Sequence, residues 1–458
     1  MTLLAAWLEI VQDWYPLFPQ KRSGVRAIRQ ALGSLVCLGR RTLSRIIWTN
    51  GDQHRSWGAE YFLHSRCCWD PQRLFAPILQ RALPWCSGRY VGVAVDDTRL
   101  RKTGRSIQQA FFQRDPLSPP FHVNLMFGLR FLQASLLVPL YRRAAVGARG
   151  LPIRFQEASP IKHPRRNAPA EEWQCYRAAV RQHNLSRQFV TMMGQLRQTL
   201  DAAGASLKIL MLAVDGSFCN RTVFAAGLQG VEIIARARKD AVLCFRAPAQ
   251  SRRFYDTHKF TPEQVRQDTK SWRKTKIFYG GRKRPVRYKE LVGIYWQGGA
   301  RRRLLRLLVV APTPYRKRLS GRLYYRQPAY LLSTDLKGHA HTLLQIYFDR
   351  WQIEVNHREE KDTLGVGQAQ LWNAVSVPKQ PVLAVASYSA LLLASLMAFG
   401  AERGQAYTPL PRWRRNAPRP SCLDLITLLR KEMVRQHALL ATFRLHPSFQ
   451  SYTTAAAA

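Results

Sequence analysis

The sequence contains few acidic residues. Its 458 residues include 28 Asp and Glu against 71 Lys and Arg, a formal net charge of +43 at pH 7. A charge this large disfavours a compact state unless a polyanion neutralises part of it, and nucleic acid is the obvious polyanion. Arg outnumbers Lys, which suits bidentate contacts to phosphate and guanine. The hydrophobic content of 46% indicates a globular core and argues against a purely basic scaffold.

Paired cysteines and long apolar runs are also scarce. The 8 cysteines form no C-x2-C pair, which argues against a zinc site and a disulfide framework and favours a reducing cytoplasm. One run, at residues 381–400, is long enough to cross a bilayer. Because it directly follows a basic, polar segment, we predict a buried core helix and no membrane partner.

Two apolar stretches end on aspartate. YVGVAVDDT contains Asp96 and Asp97, and SLKILMLAVDGSF places Asp215 directly after its apolar run. Near-continuous apolar runs of this kind are typical of buried strands. Since adjacent strand residues face opposite sides of a sheet, only one member of the Asp96–Asp97 doublet is expected to bind a metal.

A third acid, Glu354, lies in the segment YFDRWQIEVNHREEKD at residues 347–362. Treated as a regular helix, this segment places Tyr347, Arg350 and Lys361 with Glu354 in one sector of roughly 60°. Glu354 is then the one carboxylate on a basic stripe. Carboxylates suit hard divalent cations, and two Mg²⁺ ions about 4 Å apart can bind both oxygens of an in-line phosphoryl displacement.

Together these motifs resemble the DDE transposases of bacterial insertion sequences. More narrowly, they resemble a subgroup with a Y-x2-R-x3-E-x6-K motif, which is matched here by Tyr347, Arg350, Glu354 and Lys361. The resemblance as a whole covers roughly residues 90 to 375. It implies an α/β fold, a ribonuclease H-like mixed sheet flanked by helices. A β-rich insertion interrupts this sheet, and a helical DNA-binding region precedes it.

The resemblance also implies a role for each acid. The family's first acid commonly stands directly before a Thr, which favours Asp97 over Asp96, while the second and third acids map to Asp215 and Glu354. These three would hold two Mg²⁺ ions, for which Mn²⁺ can substitute.

Further residues are predicted to contact DNA. In the motif segment they are Tyr347, Arg350, Arg358 and Lys361; in LGRRTLSRIIW, a candidate recognition helix, they are Arg40, Arg41 and Arg45. The candidates for stacking on an unstacked base are Tyr330, ranked first, Trp296 and Trp272.

Five regions are expected along the chain. They are a helical, basic DNA-binding region at 1–88, the catalytic core at 89–238 and 329–400, the β-rich insertion at 239–328, and a basic linker with a last helix at 401–458. Between Ser251 and Glu290 the insertion has 13 Lys or Arg against 4 Asp or Glu, interleaved with aromatic residues. This composition favours phosphate binding.

The expected function is that of a cut-and-paste DNA transposase in the bacterial cytoplasm, associated with the nucleoid. Its partners would be double-stranded DNA, as terminal inverted repeats and target, and a second copy in a synaptic homodimer. Two alternatives stay open: a metal-dependent DNA nuclease without strand transfer, and a non-catalytic basic DNA-binding protein.

Overall fold

A computed structural model describes residues 1–54, 56–115, 118–119, 121–318, 320–413 and 417–436. Its helices are α1 (Leu3–Val11), α2 (Lys21–Val36), α3 (Leu43–Thr49), α4 (Gly58–Ser65), α5 (Phe75–Ala82), α6 (Ala170–His183), α7 (Leu185–Ala202), α8 (Arg221–Phe224), α9 (Pro262–Gln267), α10 (Gln297–Ala300), α11 (Ala340–Asp349), α12 (Trp351–Arg358), α13 (Ser376–Phe399) and α14 (Cys422–Arg435). A π-helical turn, Glu359–Thr363, follows α12.

The strands are β1 (Tyr90–Arg101), β2 (Phe111–Arg114), β3 (Leu125–Val138), β4 (Arg149–Glu157), β5 (Ile209–Val214), β6 (Val231–Arg236), β7 (Leu243–Arg246), β8 (Tyr255–Phe260), β9 (Arg273–Tyr279), β10 (Arg282–Ile294), β11 (Leu305–Val310), β12 (Pro314–Arg316), β13 (Leu323–Tyr325) and β14 (Ala329–Ser333). The predicted mixed α/β architecture is confirmed, and the described residues before β1 form helices as their regular elements.

The chain forms two compact units. The first unit comprises Met1–Trp85, Asp97–Ser159 and Ile353–Ala458, and the second comprises Cys86–Asp96 and Pro160–Gln352. Strand β1 and helix α12 therefore each contribute residues to both units. The five regions drawn from the sequence stay a prediction, and residues 437–458 of the last one lie outside the described residues.

The second unit is built on a mixed sheet. Its strand order is β1, β5, β6, β14, β11, β10, β9, in which β1, β5 and β6 are parallel and the other neighbours antiparallel. Helix α11 packs on β5, β6 and β9. The predicted insertion is rich in strands, but β9, β10 and β11 extend this sheet beyond β14. In the described part of this region, β7–β8 and β12–β13 form small two-stranded sheets of their own.

The first unit is organised around α13. This helix packs against α1, α2, α5 and β4, and β4 pairs antiparallel with β3. It is long and apolar enough to cross a membrane, yet 83% of its most apolar window is buried inside the protein. The prediction of a buried core helix is confirmed.

Two elements depart from simple sequence patterns. The helical segment at residues 170–202 is divided into two helices, because Asn184 ends α6 and caps α7 by accepting a hydrogen bond from the Arg187 amide at 3.0 Å. Strand β4 is the second such element. Its sequence RGLPIRFQE includes a Gly and a Pro, which weaken the alternating signal of a strand.

Candidate active site

Three neighbouring parallel strands bring charged residues to equivalent positions in the second unit. β1, β5 and β6 are in register up to Val95, Val214 and Ala235. The residues that follow these three are Asp96, Asp215 and Arg236. Since paired positions of neighbouring parallel strands share a face, these three side chains leave the sheet on the same side.

Helix α11 adds two more side chains to this group. Arg350, directly after the helix, places Nη1 3.9 Å from Oδ2 of Asp96, and its guanidinium carbon lies 6.0 Å from the ring centroid of Tyr347. Burial raises the pKa of the Tyr347 hydroxyl, and Arg350, Arg236 and Asp215 are close enough to act on it electrostatically. Tyr347 therefore stays a neutral hydroxyl that can donate a hydrogen bond.

Asp97 has a different environment. As the neighbour of Asp96 on one strand, it faces the opposite side of the sheet. Its Oδ2 lies 2.8 Å from Nε of Arg130 and 3.7 Å from Nη2 of Arg99, both in the first unit. The sequence favoured Asp97 as the first acid, whereas the strand register favours Asp96 as the carboxylate next to Asp215.

Asp215 is held by the turn that follows β5. Its Oδ1 accepts hydrogen bonds from the amide of Ser217 at 3.0 Å and from the Ser217 hydroxyl at 2.6 Å. Within the described ranges Oδ2 accepts none, so capping the turn leaves one oxygen for a ligand. Burial, with the charge of Asp215, raises the pKa of the nearby Cys219 thiol to about 12. A thiol that stays protonated is a poor metal ligand.

The third predicted acid, Glu354, is half-buried on α12 and belongs to the first unit, as does the exposed Arg358. The motif segment is not one regular helix, because α12 ends at Arg358 and a π turn follows. In this wider turn the amide of Leu364 donates a hydrogen bond to the carbonyl of Glu359, five residues earlier. The angle predicted for Lys361 from a regular helix therefore does not apply.

Buried polar contacts fix α12 in the first unit. The Asn356 side-chain amide donates to the Gly150 carbonyl and to the Tyr388 hydroxyl, each at 3.1 Å. In the π turn, Oε1 of Glu360 accepts a hydrogen bond of 2.8 Å from Gln133. Burial raises the pKa of Glu360 to about 8, so this carboxyl is mostly protonated at neutral pH.

Replacing Glu360 with Gln is expected to flatten the pH dependence of stability. The folded-state pKa of about 8 lies above the ordinary value of 4.5, so the stabilising contribution is complete below pH 4.5 and is lost as pH rises towards 8. The wild-type free energy of unfolding should fall through this window by up to about 1.4 kcal/mol per pH unit more than that of Glu360→Gln.

Urea denaturation at a series of pH values measures the Glu360 effect. Asp362→Asn is the matched control, because Asp362 is an exposed acid in the same π turn. Asp362→Asn should keep the wild-type pH dependence. Equal slopes in wild type and Glu360→Gln would refute the assignment.

The three arginines predicted to contact DNA near the N-terminus, Arg40, Arg41 and Arg45, do not all lie on one helix. Helix α3 begins after Thr42, whose hydroxyl accepts from the Arg45 amide, so Arg40 and Arg41 precede the expected recognition helix. Arg40 and Arg45 are exposed. The Arg41 amide donates to Gln368 Oε1 at 2.7 Å, and burial lowers the pKa of the Arg41 guanidinium. This backbone bond fixes Arg41 within the first unit.

Tyr330 is a poor surface for stacking a base. It is only 5% exposed, and its hydroxyl donates to the carboxylate of Glu263. A ring in this position has no free face, which contradicts the ranking of Tyr330 as the first candidate. Trp272 is half-buried, with Arg287 and Lys289 each 5.2 Å from its ring.

Trp296 lines a cavity of about 320 Å³ next to the second acid. The lining residues are Gly216, Cys219, Arg236, Ala237, Arg238, Asp240, Ala241 and Trp296. The half-buried indole packs edge-on against Phe224, with ring centroids 5.9 Å apart. An aromatic ring, two guanidinium groups and the turn after Asp215 thus share one cavity. Such groups bind unstacked bases and phosphates.

A family model described as DDE superfamily endonuclease matches residues 14–291, which is more than half of the chain. The chain belongs to the DDE superfamily endonucleases. No curated protein matches it. The matched range of this DDE superfamily endonuclease contains Asp96, Asp97 and Asp215, and it ends before Glu354.

Membership of the DDE superfamily endonucleases indicates DNA as the substrate and cleavage with divalent metal ions. The mixed sheet with flanking helices is consistent with the ribonuclease H-like fold expected of this family. Arg236 is a site residue that the sequence interpretation missed. Arg236 lies at the end of β6, and only the register of β6 with β5 places it at the position next to Asp215.

Two carboxylates of the second unit are candidate ligands of a divalent metal ion. Asp96 in β1 and Asp215 after β5 follow paired residues of neighbouring strands, and carboxylate oxygens are the ligand type that Mg²⁺ and Mn²⁺ prefer. In the part of the chain that the structure describes, no group of three or more His, Cys, Asp or Glu side chains could hold a metal. The pair fits a divalent cation, and Glu354 as a third ligand stays a prediction.

Proposed function

We propose that this DDE superfamily endonuclease is the transposase of a bacterial insertion sequence. It hydrolyses the phosphodiester at each element end and joins the freed 3′ hydroxyl to target DNA. The observation that carries the proposal is the placement of Asp96 and Asp215 at equivalent positions of the neighbouring strands β1 and β5, with Arg350 beside Asp96. The Y-x2-R-x3-E-x6-K motif supports the subgroup and the role of Glu354.

In this proposal the chain's own residues divide into two roles. Asp96, Asp215 and Glu354 hold the divalent ions, two Mg²⁺ or Mn²⁺, which when bound supply an activated water and neutralise charge at the scissile phosphate. Arg350 and Tyr347 bind the phosphates next to the scissile bond, the first as a charged donor and the second as a neutral one. Arg358 and Lys361 bind phosphates further along the same DNA strand.

The proposed partners follow from the reaction. They are the terminal inverted repeats and the target, both as double-stranded DNA, and a second copy of the chain in a synaptic homodimer. The expected location is the bacterial cytoplasm, associated with the nucleoid. The Lys and Arg excess supports a DNA partner in particular.

The proposal is tested by incubating the purified chain with Mg²⁺, a duplex carrying the DNA that flanks its own gene, and a supercoiled plasmid. A transposase gives cut ends and end–plasmid joints. Cut ends without joints would show a nuclease without strand transfer, and binding without either product would show a non-catalytic DNA-binding protein. Either of these results would overturn the proposal.

Arg350→Ala and Lys361→Ala should each weaken binding to the end DNA and reduce its salt dependence. Each DNA phosphate that a variant no longer neutralises lowers the slope of log K against log salt by about 0.9. Arg177→Ala is the matched control, because Arg177 is an exposed Arg on α6. Fluorescence anisotropy at several salt concentrations gives the slopes. Unchanged slopes would show that neither residue binds a DNA phosphate.

Trp296→Ala should slow cleavage of the second DNA strand, because the cavity at Trp296 is the proposed site for an unstacked base. Base–aromatic stacking contributes about 1 to 3 kcal/mol, so roughly a tenfold effect or more is expected. Tyr330→Phe, a change in the core that keeps the ring, is the control. Fluorescence of 2-aminopurine next to the cut measures unstacking; no increase on binding would contradict a base-binding role.

A further inference from the structure

Strands β9 and β10 form a two-stranded ribbon at one edge of the mixed sheet. They are joined by Gly280 and Gly281, whose φ angles of 58° and 80° match the twist of a tight hairpin. β10 pairs with β11 only from Tyr288, which lies opposite Val310. Among the described residues, no third strand therefore lies beside the outer part of the ribbon, residues 274–287.

One face of the ribbon carries a cluster of cations. Cross-strand partners share a face, and the pairs on this face are Lys274 with Arg287, Lys276 with Pro285, and Phe278 with Lys283. The four cations, Lys274, Lys276, Lys283 and Arg287, are all exposed. No ion pair within the described chain involves them. Lys274 and Arg287 lie directly opposite each other, an arrangement that destabilises a sheet when no anion is present.

The opposite face and the outer edge of the ribbon are already occupied by α11. The Thr275 hydroxyl forms a 2.9 Å hydrogen bond with His341. At the free edge of β9, the Gln345 side chain accepts from the Phe278 amide at 2.8 Å and donates to the Phe278 carbonyl at 3.0 Å. These contacts leave the four exposed cations of the other face for a partner and block strand addition at Phe278.

The inner end of the ribbon is fixed by Trp272 and Lys289. Lys289 is buried, and its Nζ donates to the carbonyls of Val265 at 2.9 Å and Asp268 at 2.6 Å. The Trp272 ring lies 5.2 Å from both Lys289 and Arg287. A cation held over an indole is partly ordered before a ligand arrives, which lowers the entropy lost on binding.

From this geometry we infer that the cationic face of the ribbon is a sequence-independent binding surface for duplex DNA. Four exposed cations without carboxylate partners suit backbone phosphates, and a two-stranded ribbon has dimensions that a DNA groove accepts. Surfaces that bind membranes combine cations with exposed apolar side chains, whereas Phe278 on this face is buried. The inference rests on the proposed function only in its choice of DNA as the polyanion.

The test uses the full chain and a short labelled duplex of arbitrary sequence, without divalent metal, at several salt concentrations. The variant combines Lys274→Gln, Lys276→Gln, Lys283→Gln and Arg287→Gln. The control removes the same charge elsewhere in the second unit, at four exposed positions: Lys162→Gln, Arg177→Gln, Arg181→Gln and Arg187→Gln. The ribbon variant should lower the salt slope by up to roughly 3.6 and weaken binding on the order of 10²- to 10³-fold.

Thermal unfolding without DNA separates a binding defect from a folding defect. The ribbon variant should unfold at the wild-type temperature or above it, because a like-charge pair is removed. Lys274→Glu is the second variant: it places a carboxylate opposite Arg287, so it should keep the fold and still weaken DNA binding. An unchanged salt slope in the ribbon variant, or an equal loss in the control, would overturn the inference.

Binding in this experiment is measured without metal and without cleavage. A wild-type chain that fails to cut DNA would overturn the proposed function and leave the ribbon result standing. If the wild-type chain cuts DNA but the ribbon variant binds DNA as wild type does, the inference about the ribbon is overturned and the proposed function stands.

Discussion

Asp215→Asn is expected to abolish DNA cleavage, with a loss of at least about 10³-fold in rate, while DNA binding is kept. The amide preserves the shape of the side chain and its contact with the Ser217 amide. It removes the negative charge that attracts a divalent cation, and a bound cation contributes several kcal/mol to phosphoryl transfer. Cleavage of labelled end DNA, followed by gel electrophoresis across a Mg²⁺ titration, measures the loss.

Asp201→Asn is the matched control for Asp215→Asn. Asp201 is an exposed acid on α7 in the second unit, and its carboxylate is paired with Arg197 at 2.7 Å. We expect wild-type cleavage from this control. Wild-type cleavage by Asp215→Asn, or an equal loss in both variants, would show that the charge at Asp215 has no special role.

Asp96→Asn and Asp97→Asn are expected to differ sharply. Asp96 follows Val95, the partner of Val214, so its carboxylate shares a side of the sheet with Asp215; losing its charge should abolish cleavage. Asp97 is paired with Arg130, and Asp97→Asn should retain cleavage. It should instead lower the free energy of unfolding by about 1 to 3 kcal/mol, because Arg130 loses its charged partner.

Cleavage rates and urea denaturation curves for the two variants decide which of Asp96 and Asp97 is needed for cleavage. Each serves as the control of the other, since both remove one negative charge from the same strand. Loss of cleavage in Asp97→Asn with retention in Asp96→Asn would restore the assignment drawn from the sequence. Loss in both variants would show that the two faces of β1 contribute together.

Local sequence patterns were sufficient to place the strands that carry the acids. The apolar runs before Asp96 and Asp215 correspond to β1 and β5, and the long apolar run after the motif segment corresponds to the buried helix α13. Each of these patterns reflects burial of neighbouring residues, which a single sequence records directly.

Register and long-range contacts could not be predicted in the same way. The choice between Asp96 and Asp97 depends on which residue lies opposite Val214, and the position of Arg236 depends on the pairing of β6 with β5. The sequence pattern around Tyr330 is that of an ordinary aromatic strand residue and does not reveal its hydrogen bond to the distant Glu263. These are properties of pairing between distant segments.

The most direct test of the proposed reaction is strand transfer by a pre-cut end. The wild-type chain, Mg²⁺ and a plasmid are incubated with end DNA that carries either a 3′ hydroxyl or a 3′ deoxy terminus, and joined products are counted on a gel. We predict joints only from the 3′ hydroxyl end and none from Asp215→Asn. Absence of joints from wild type, or joints that persist in Asp215→Asn, would contradict the proposed reaction.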